Sequence, residues 1–150
     1  MQVSIFSRKD IETLINGDFP ANTAVVSIHS PASMKAADYA PVDYKGRPER
    51  LMYVCAPDLD IDALPRFGLS YESFMPDADA LAEFIHQAAA DGLDIICQCD
   101  YGQSRSAACC AAIREHFDHS GIAIFADYRY YPNQVVFNRV LQALRDAEKA

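Results

Sequence analysis

The chain has no long apolar run. Its richest stretches, such as AACCAAI, fall far short of the roughly 20 residues a bilayer-spanning helix needs. It also shows no secretory h-region, because MQVSIFSRKD turns polar after six residues. Positive charge is scarce: 13 Lys and Arg stand against 21 Asp and Glu, a formal net charge of -8. An acidic chain gains nothing from counterion release, which argues against nucleic-acid and anionic-membrane partners. Internal repeats, low-complexity tracts and linkers are all missing. The 150 residues, 51% hydrophobic and 23% charged, therefore read as one globular domain, 1–150, able to bury a core without covalent staples. Five cysteines in a chain without a signal segment are expected to be free thiols in the cytoplasm.

Periodicity orders the chain. VSIF (3–6) reads as a strand, followed by a helix that Ser7 caps, that repeats apolar residues at Ile11, Leu14 and Ile15, and that stops at Gly17 and Pro20. TAVVSIHS (23–30) and LMYVCAP (51–57) read as buried strands, separated by a Pro-rich surface loop over 31–50 with room for one helical turn. A polar and aromatic connection (58–75) leads to a helix over 76–92, with Pro76 in its first turn and Gly92 as its stop. LDIICQC (93–99) is a strand and DYGQ a tight loop. A helix follows over 104–121, ended by Gly121, then a loop over 122–132 and a final amphipathic helix over 133–150. Alternating strands and helices predict an α/β fold with a central, mostly parallel sheet flanked by helices.

Four of the five cysteines lie within sixteen residues, IICQCDYGQSRSAACC. The spacings Cys97-x-Cys99 and Cys109-Cys110, with no second pair elsewhere, do not suit a structural zinc site, so no metal is expected. Cys109 and Cys110 among alanines, and Cys55 and Cys97 within apolar strands, read as packing residues. Cys99 differs. It ends a strand at the C-terminal edge of the sheet, before a glycine-containing loop that opens into a helix, where α/β proteins bind ligands. Successive loop amides and the helix dipole form an anion cradle there. Arg105 can add a guanidinium fork for phosphate or sulfate, the cradle favours a thiolate at Cys99, and Ser106 can hydrogen-bond the sulfur.

CDYGQSRS (Cys99 to Ser106) fits C-x-x-G-x-x-R-[ST], and so resembles the signature loop of the cysteine-dependent protein tyrosine phosphatases. At average composition the pattern follows a given cysteine by chance roughly once in two thousand. LMYVCAPD resembles the strand and turn that present the general acid in the dual-specificity branch, with Asp58 as its closest match. YRYYPNQVVFNRVLQAL (128–144) resembles the closing segment of those domains, so the likeness covers residues 51 to 145. It implies a phosphotyrosine-phosphatase-like fold and hydrolysis of phosphate monoesters, protein phosphotyrosine first with phosphoserine or phosphothreonine as the alternative, through a phosphocysteine intermediate and without a cofactor. Cys99 is then the nucleophile, Arg105 with the backbone of Asp100, Tyr101, Gly102, Gln103 and Ser104 holds the phosphate, and Ser106 eases thiolate departure. Asp58 is preferred as the acid over Asp60 and Asp62 because it directly follows the strand. The family histidine before the nucleophile is replaced by Gln98, which can hydrogen-bond but carries no charge.

Two rival readings stand beside this one. A rhodanese or arsenate-reductase type of thiol enzyme also places a cysteine beside an oxyanion cradle. A non-catalytic phosphate-binding module would keep the cradle and lose turnover. Among the remaining polar groups, His29 reads as a strand-edge residue, His86, His116 and His119 as surface residues, and Asn133 as a helix cap. Tyr128, Tyr130 and Tyr131 read as core or rim.

Overall fold

The computed structural model describes residues 1–149. Four strands, β1 (Val3–Phe6), β2 (Thr23–His29), β3 (Arg50–Cys55) and β4 (Asp94–Gln98), form one sheet in the order β1-β4-β2-β3. Every pairing is parallel: Ile5 lies opposite Cys97, Val26 opposite Cys97 on the other side, and Ser27 opposite Tyr53. A parallel sheet must be covered on both faces, and this one is. Helix α1 (Arg8–Ile15) packs Ile11 and Ile15 on one face against Val25, Ile96, Val42 and Tyr44. The other face carries the larger core, where α2 (Ala78–Ala90), α3 (Arg105–Asp118) and α5 (Gln134–Lys149) meet Val26, Ile28, Ile95 and Cys97. Side chains alternate along a strand, so odd-numbered β4 residues face α3 and even-numbered ones face α1.

The expected strands appear within a residue or two. Ser7 caps α1, its hydroxyl accepting from the Asp10 N–H at 3.1 Å. The loop after β2 contains one 3-10 turn, Ala32–Met34, and the connection after β3 contains another, Leu64–Phe67. Three expectations change. The helix assigned to 76–92 begins at Ala78, so Pro76 precedes it rather than occupying its first turn. Helix α3 is ended by His119, which adopts the left-handed conformation (φ 58°), and not by Gly121. Gly121 is required by contact: a Cβ there would lie 2.6 Å from the Ala111 carbonyl oxygen. The third change is a short helix, α4 (Ile122–Ala126), within the segment read as loop. The final helix was expected over 133–150; Ala150 lies outside the described residues.

Candidate active site

The loop between β4 and α3 is folded by what surrounds it. Its carbonyl groups are turned outward: Asp100 O accepts from Arg8 N (3.1 Å), Gln103 O from Tyr131 N (2.8 Å), and Ser104 O from Asn133 N (3.2 Å). C=O and N–H point opposite ways across each trans peptide, so with these three carbonyls facing out the N–H groups of Tyr101, Ser104 and Arg105 face in. Among the described residues the N–H groups of Tyr101, Gln103, Ser104 and Arg105 have no protein acceptor, and that of Gly102 points to Cys99 Sγ at 3.3 Å. Such a ring of amides, at the head of a 14-residue helix, is an anion cradle. Gly102 makes the turn possible. Its φ is 69°, and a Cβ would approach Ser7 N to 2.6 Å, so the β1–α1 junction presses directly on the loop.

Cys99 sits at the floor, 2% exposed, with Sγ 3.0 Å from Ser106 Oγ. Arg105 is buried beside it. Its Nη1 donates to Ser30 Oγ (2.8 Å) and to the Ala56 carbonyl (2.9 Å), and its Nη2 to Asp100 Oδ2 (3.2 Å). Its Nε is buried without any partner, an unspent donor beside the cradle.

Asp58 lies just past β3, exposed, and is tied both to the loop and to the start of α5. Its Oδ1 accepts from Ser104 Oγ (2.8 Å) and from Asn133 Nδ2 (3.0 Å). Asp60 and Asp62 line the same cleft of about 750 Å³, with Ile61, Phe125 and Tyr130 among its walls, but neither carboxylate is bonded to the loop.

Several roles differ from expectation. Ser104, expected to act through its main chain, also holds Asp58 with its hydroxyl. Asp100, expected to act through its backbone, turns its carboxylate inward to Arg105, Ser30, Tyr39 and Lys35. Burial raises its pKa, but the Tyr39 hydroxyl, Arg105 and Lys35 outweigh this and hold it below the usual carboxylate value. Tyr101 is an exposed rim residue, as is Tyr131, whose N–H secures Gln103. Asn133 caps α5, Oδ1 accepting from Val136 N at 2.9 Å, while its amide serves Asp58 and the Leu59 carbonyl. Ser30, Tyr39, Lys35 and Ala56 were not singled out by sequence. Their bonds to Asp100 and Arg105 span 49 to 75 positions.

Gln98 points away from Cys99. It is buried on the α1 face, its Oε1 accepting from Ser27 Oγ (2.5 Å) and Tyr44 OH (2.7 Å). Cys97 packs on the opposite face against Cys109, which with burial holds its thiol protonated well above the ordinary value. Burial pushes the Cys110 thiol up to about 12. All five cysteines are free. Among the described residues no group of three or more His, Cys, Asp or Glu could hold a metal ion, and no helix is long and apolar enough to cross a membrane. His86 and His116, expected at the surface, are half-buried and pack edge to face, with ring centroids 5.1 Å apart, next to Phe117.

This arrangement of a parallel sheet, a strand-loop-helix cradle and a carboxylate after β3 has the fold of cysteine-based, dual-specificity-phosphatase-like proteins. PTPMT1 in complex with PI(5)P superposes with a TM-score of 0.58 at 11% sequence identity, covering 99% of this chain and 93% of that chain. Tk-PTP in its active form superposes with a TM-score of 0.52 at 12% identity, covering 99% and 92%. No protein-family model and no curated protein matches the chain by sequence.

Proposed function

We propose that the chain is a cysteine phosphatase that hydrolyses phosphate monoesters without a metal or cofactor. The observation that carries this reading is the convergence of Cys99 Sγ, Ser106 Oγ, the Gly102 amide and the unpartnered Arg105 Nε on one cradle of inward-facing amides. The Cys99 thiolate attacks phosphorus, the ester P–O bond breaks as the S–P bond forms, and Asp58 gives its proton to the leaving oxygen. In the second step Asp58 takes a proton from water, the resulting oxygen nucleophile displaces sulfur, and the Ser106 hydroxyl stabilises the departing thiolate. Arg105 and the loop amides hold the equatorial oxygens throughout, where charge is spread in a loose transition state.

Protein phosphotyrosine is the preferred substrate. Cys99 is buried, and the exposed Tyr101 and Tyr131 belong to its loop and to the segment bonded to it, which offers aromatic surface to an aryl ester. PTPMT1 is seen bound to PI(5)P, which makes a phosphoinositide the second substrate to assay. Asp100, Tyr101 and Gln103 in this loop, on an acidic chain, suit a simple monoester better than a polyphosphorylated one.

The test is hydrolysis of p-nitrophenyl phosphate and of a phosphotyrosine peptide in the presence of EDTA. Turnover is expected to persist in EDTA and to vanish in Cys99→Ser. Activity that EDTA abolishes, or that survives in Cys99→Ser, overturns the mechanism. Thiosulfate turnover without ester hydrolysis would assign the site to sulfur transfer, and phosphate binding without turnover to a non-catalytic reader.

A further inference from the structure

The phosphate loop contains a carboxylate, and a carboxylate beside an oxyanion site needs a reason. Asp100 follows the nucleophile directly, is largely buried, and has four partners. Its Oδ2 accepts from Arg105 Nη2 (3.2 Å), Ser30 Oγ (3.2 Å) and Tyr39 OH (3.2 Å), and lies 3.4 Å from Lys35 Nζ; its Oδ1 accepts from Tyr39 OH at 3.0 Å. Ser30 closes a ring, since the hydroxyl that faces Asp100 also accepts from Arg105 Nη1 at 2.8 Å. The main chain of the same segment joins in, with Ser30 N donating to Tyr39 OH at 2.9 Å.

The hydrogen inventory of Arg105 shows what this network does. A guanidinium has five N–H groups. Both on Nη1 are spent on Ser30 and Ala56, one on Nη2 is spent on Asp100, and the Nε–H is buried and unspent. The anchors grip the far end of the fork and leave the edge made by Nε and the second Nη2 hydrogen free for an anion. A fork fixed in this way loses little rotamer freedom when the transition state arrives. Lys35 Nζ, 3.4 Å from Asp100 Oδ2 and set over the Tyr101 and Tyr39 rings at 5.5 and 5.6 Å, is close enough to offset the Asp100 charge that would otherwise oppose a phosphate dianion.

We propose that Asp100 is the positioning residue for Arg105, and that the 30–39 segment is its clamp, with Tyr39 holding the carboxylate and Lys35 neutralising it. The role rests on the phosphatase reading and deepens it. Asp100 touches no substrate in this scheme. It fixes the arginine edge that grips the equatorial oxygens, at some cost in affinity for the ground-state dianion.

The test combines steady-state kinetics on p-nitrophenyl phosphate with equilibrium binding of inorganic phosphate and orthovanadate. Asp100→Asn keeps the shape and an acceptor for Tyr39 but removes the charge that orients Arg105. It is expected to lower kcat about tenfold, the loss of one charge-assisted bond, while phosphate binds as tightly as in the wild type or more so. Tyr39→Phe is expected to lower kcat in the same direction by a smaller factor, and to lower it no further in an Asp100→Ala background, because Tyr39 acts through the carboxylate. An Asp100→Asn variant with kcat within twofold of wild type overturns the proposal. So do additive effects of the two substitutions, or a kcat loss that tracks a fall in melting temperature together with weakened phosphate binding. A wild-type protein that neither hydrolyses the ester nor binds orthovanadate overturns the phosphatase reading itself, a separate result.

Discussion

At the residue scale the site depends on two short anchors. Asp58 owes its place to Ser104 and Asn133, which hold one carboxylate oxygen and leave the other free for proton transfer. Asp58→Asn is expected to lower kcat about a hundredfold with little change in KM, the signature of a lost general acid. An unchanged kcat would move the acid to Asp60 or Asp62. Asn133→Ala frees Asp58 and also uncaps α5; it is expected to lower kcat less than Asp58→Asn does and to cost about 1 kcal/mol in urea unfolding. Gly102 tolerates nothing larger. Gly102→Ala needs a positive φ and drives a Cβ into the backbone at Ser7, so it is expected to destabilise the fold by at least 1–3 kcal/mol and abolish turnover.

At the scale of elements, β4 carries two different duties on its two faces. Cys97 belongs to the packing against α3, while Gln98 joins β2 to the segment bearing Tyr44 on the α1 side. Gln98→Leu leaves the Ser27 and Tyr44 hydroxyls buried without their acceptor, and is expected to cost about 2–3 kcal/mol of stability with kcat within a few-fold of wild type. A loss of turnover at unchanged stability would show instead that Gln98 tunes Cys99 directly. The strands, the strand-loop-helix around Cys99 and the cap at Ser7 were legible because each is set by neighbouring residues: a β-branched run, a fixed C-x-x-G-x-x-R-S spacing, a serine before an apolar repeat. The side chains that brace Arg105 were not. Ser30 and the Ala56 carbonyl meet it, and Tyr39 meets its partner Asp100, only because β2 lies beside β4 and β3 beside β2, and no local pattern encodes that adjacency. Helix α4 was missed because five residues are too few to display a period, and the end of α3 because histidine in the left-handed conformation gives no compositional sign.

At the scale of the whole molecule, α5 is fastened to α3 and α2 by a histidine pair. His116 Nε2 lies 3.0 Å from Glu148 Oε2, and His86 Nε2 lies 3.0 Å from the Leu144 carbonyl oxygen. Burial holds the His116 pKa below its ordinary value, outweighing the opposing pull of Glu148. The unfolded chain therefore binds the proton more readily. The stability this contributes is complete above the unfolded value near 6.5 and falls away as pH drops toward the lower folded one. The midpoint of urea unfolding is expected to decline between pH 7 and 5, and His116→Phe to flatten that decline; equal slopes in both proteins would remove the assignment. Asp100 acts with the same sign at lower pH, since its depressed pKa adds stability above the unfolded carboxylate value that is lost on further acidification.

The sheet order has a bearing on how the chain comes to be assembled. Strand β1 has no partner until β4 exists, some ninety residues later, and the cradle also needs Asn133 to seat Asp58. Contacts of such long sequence separation form late, so during stepwise synthesis Cys99, Arg105 and Asp58 meet only after nearly all of the described chain has been made. A nascent fragment ending before Asn133 would hold every residue of the signature loop and yet lack the anchor that seats Asp58, so such a shortened product is expected to be without the proposed activity.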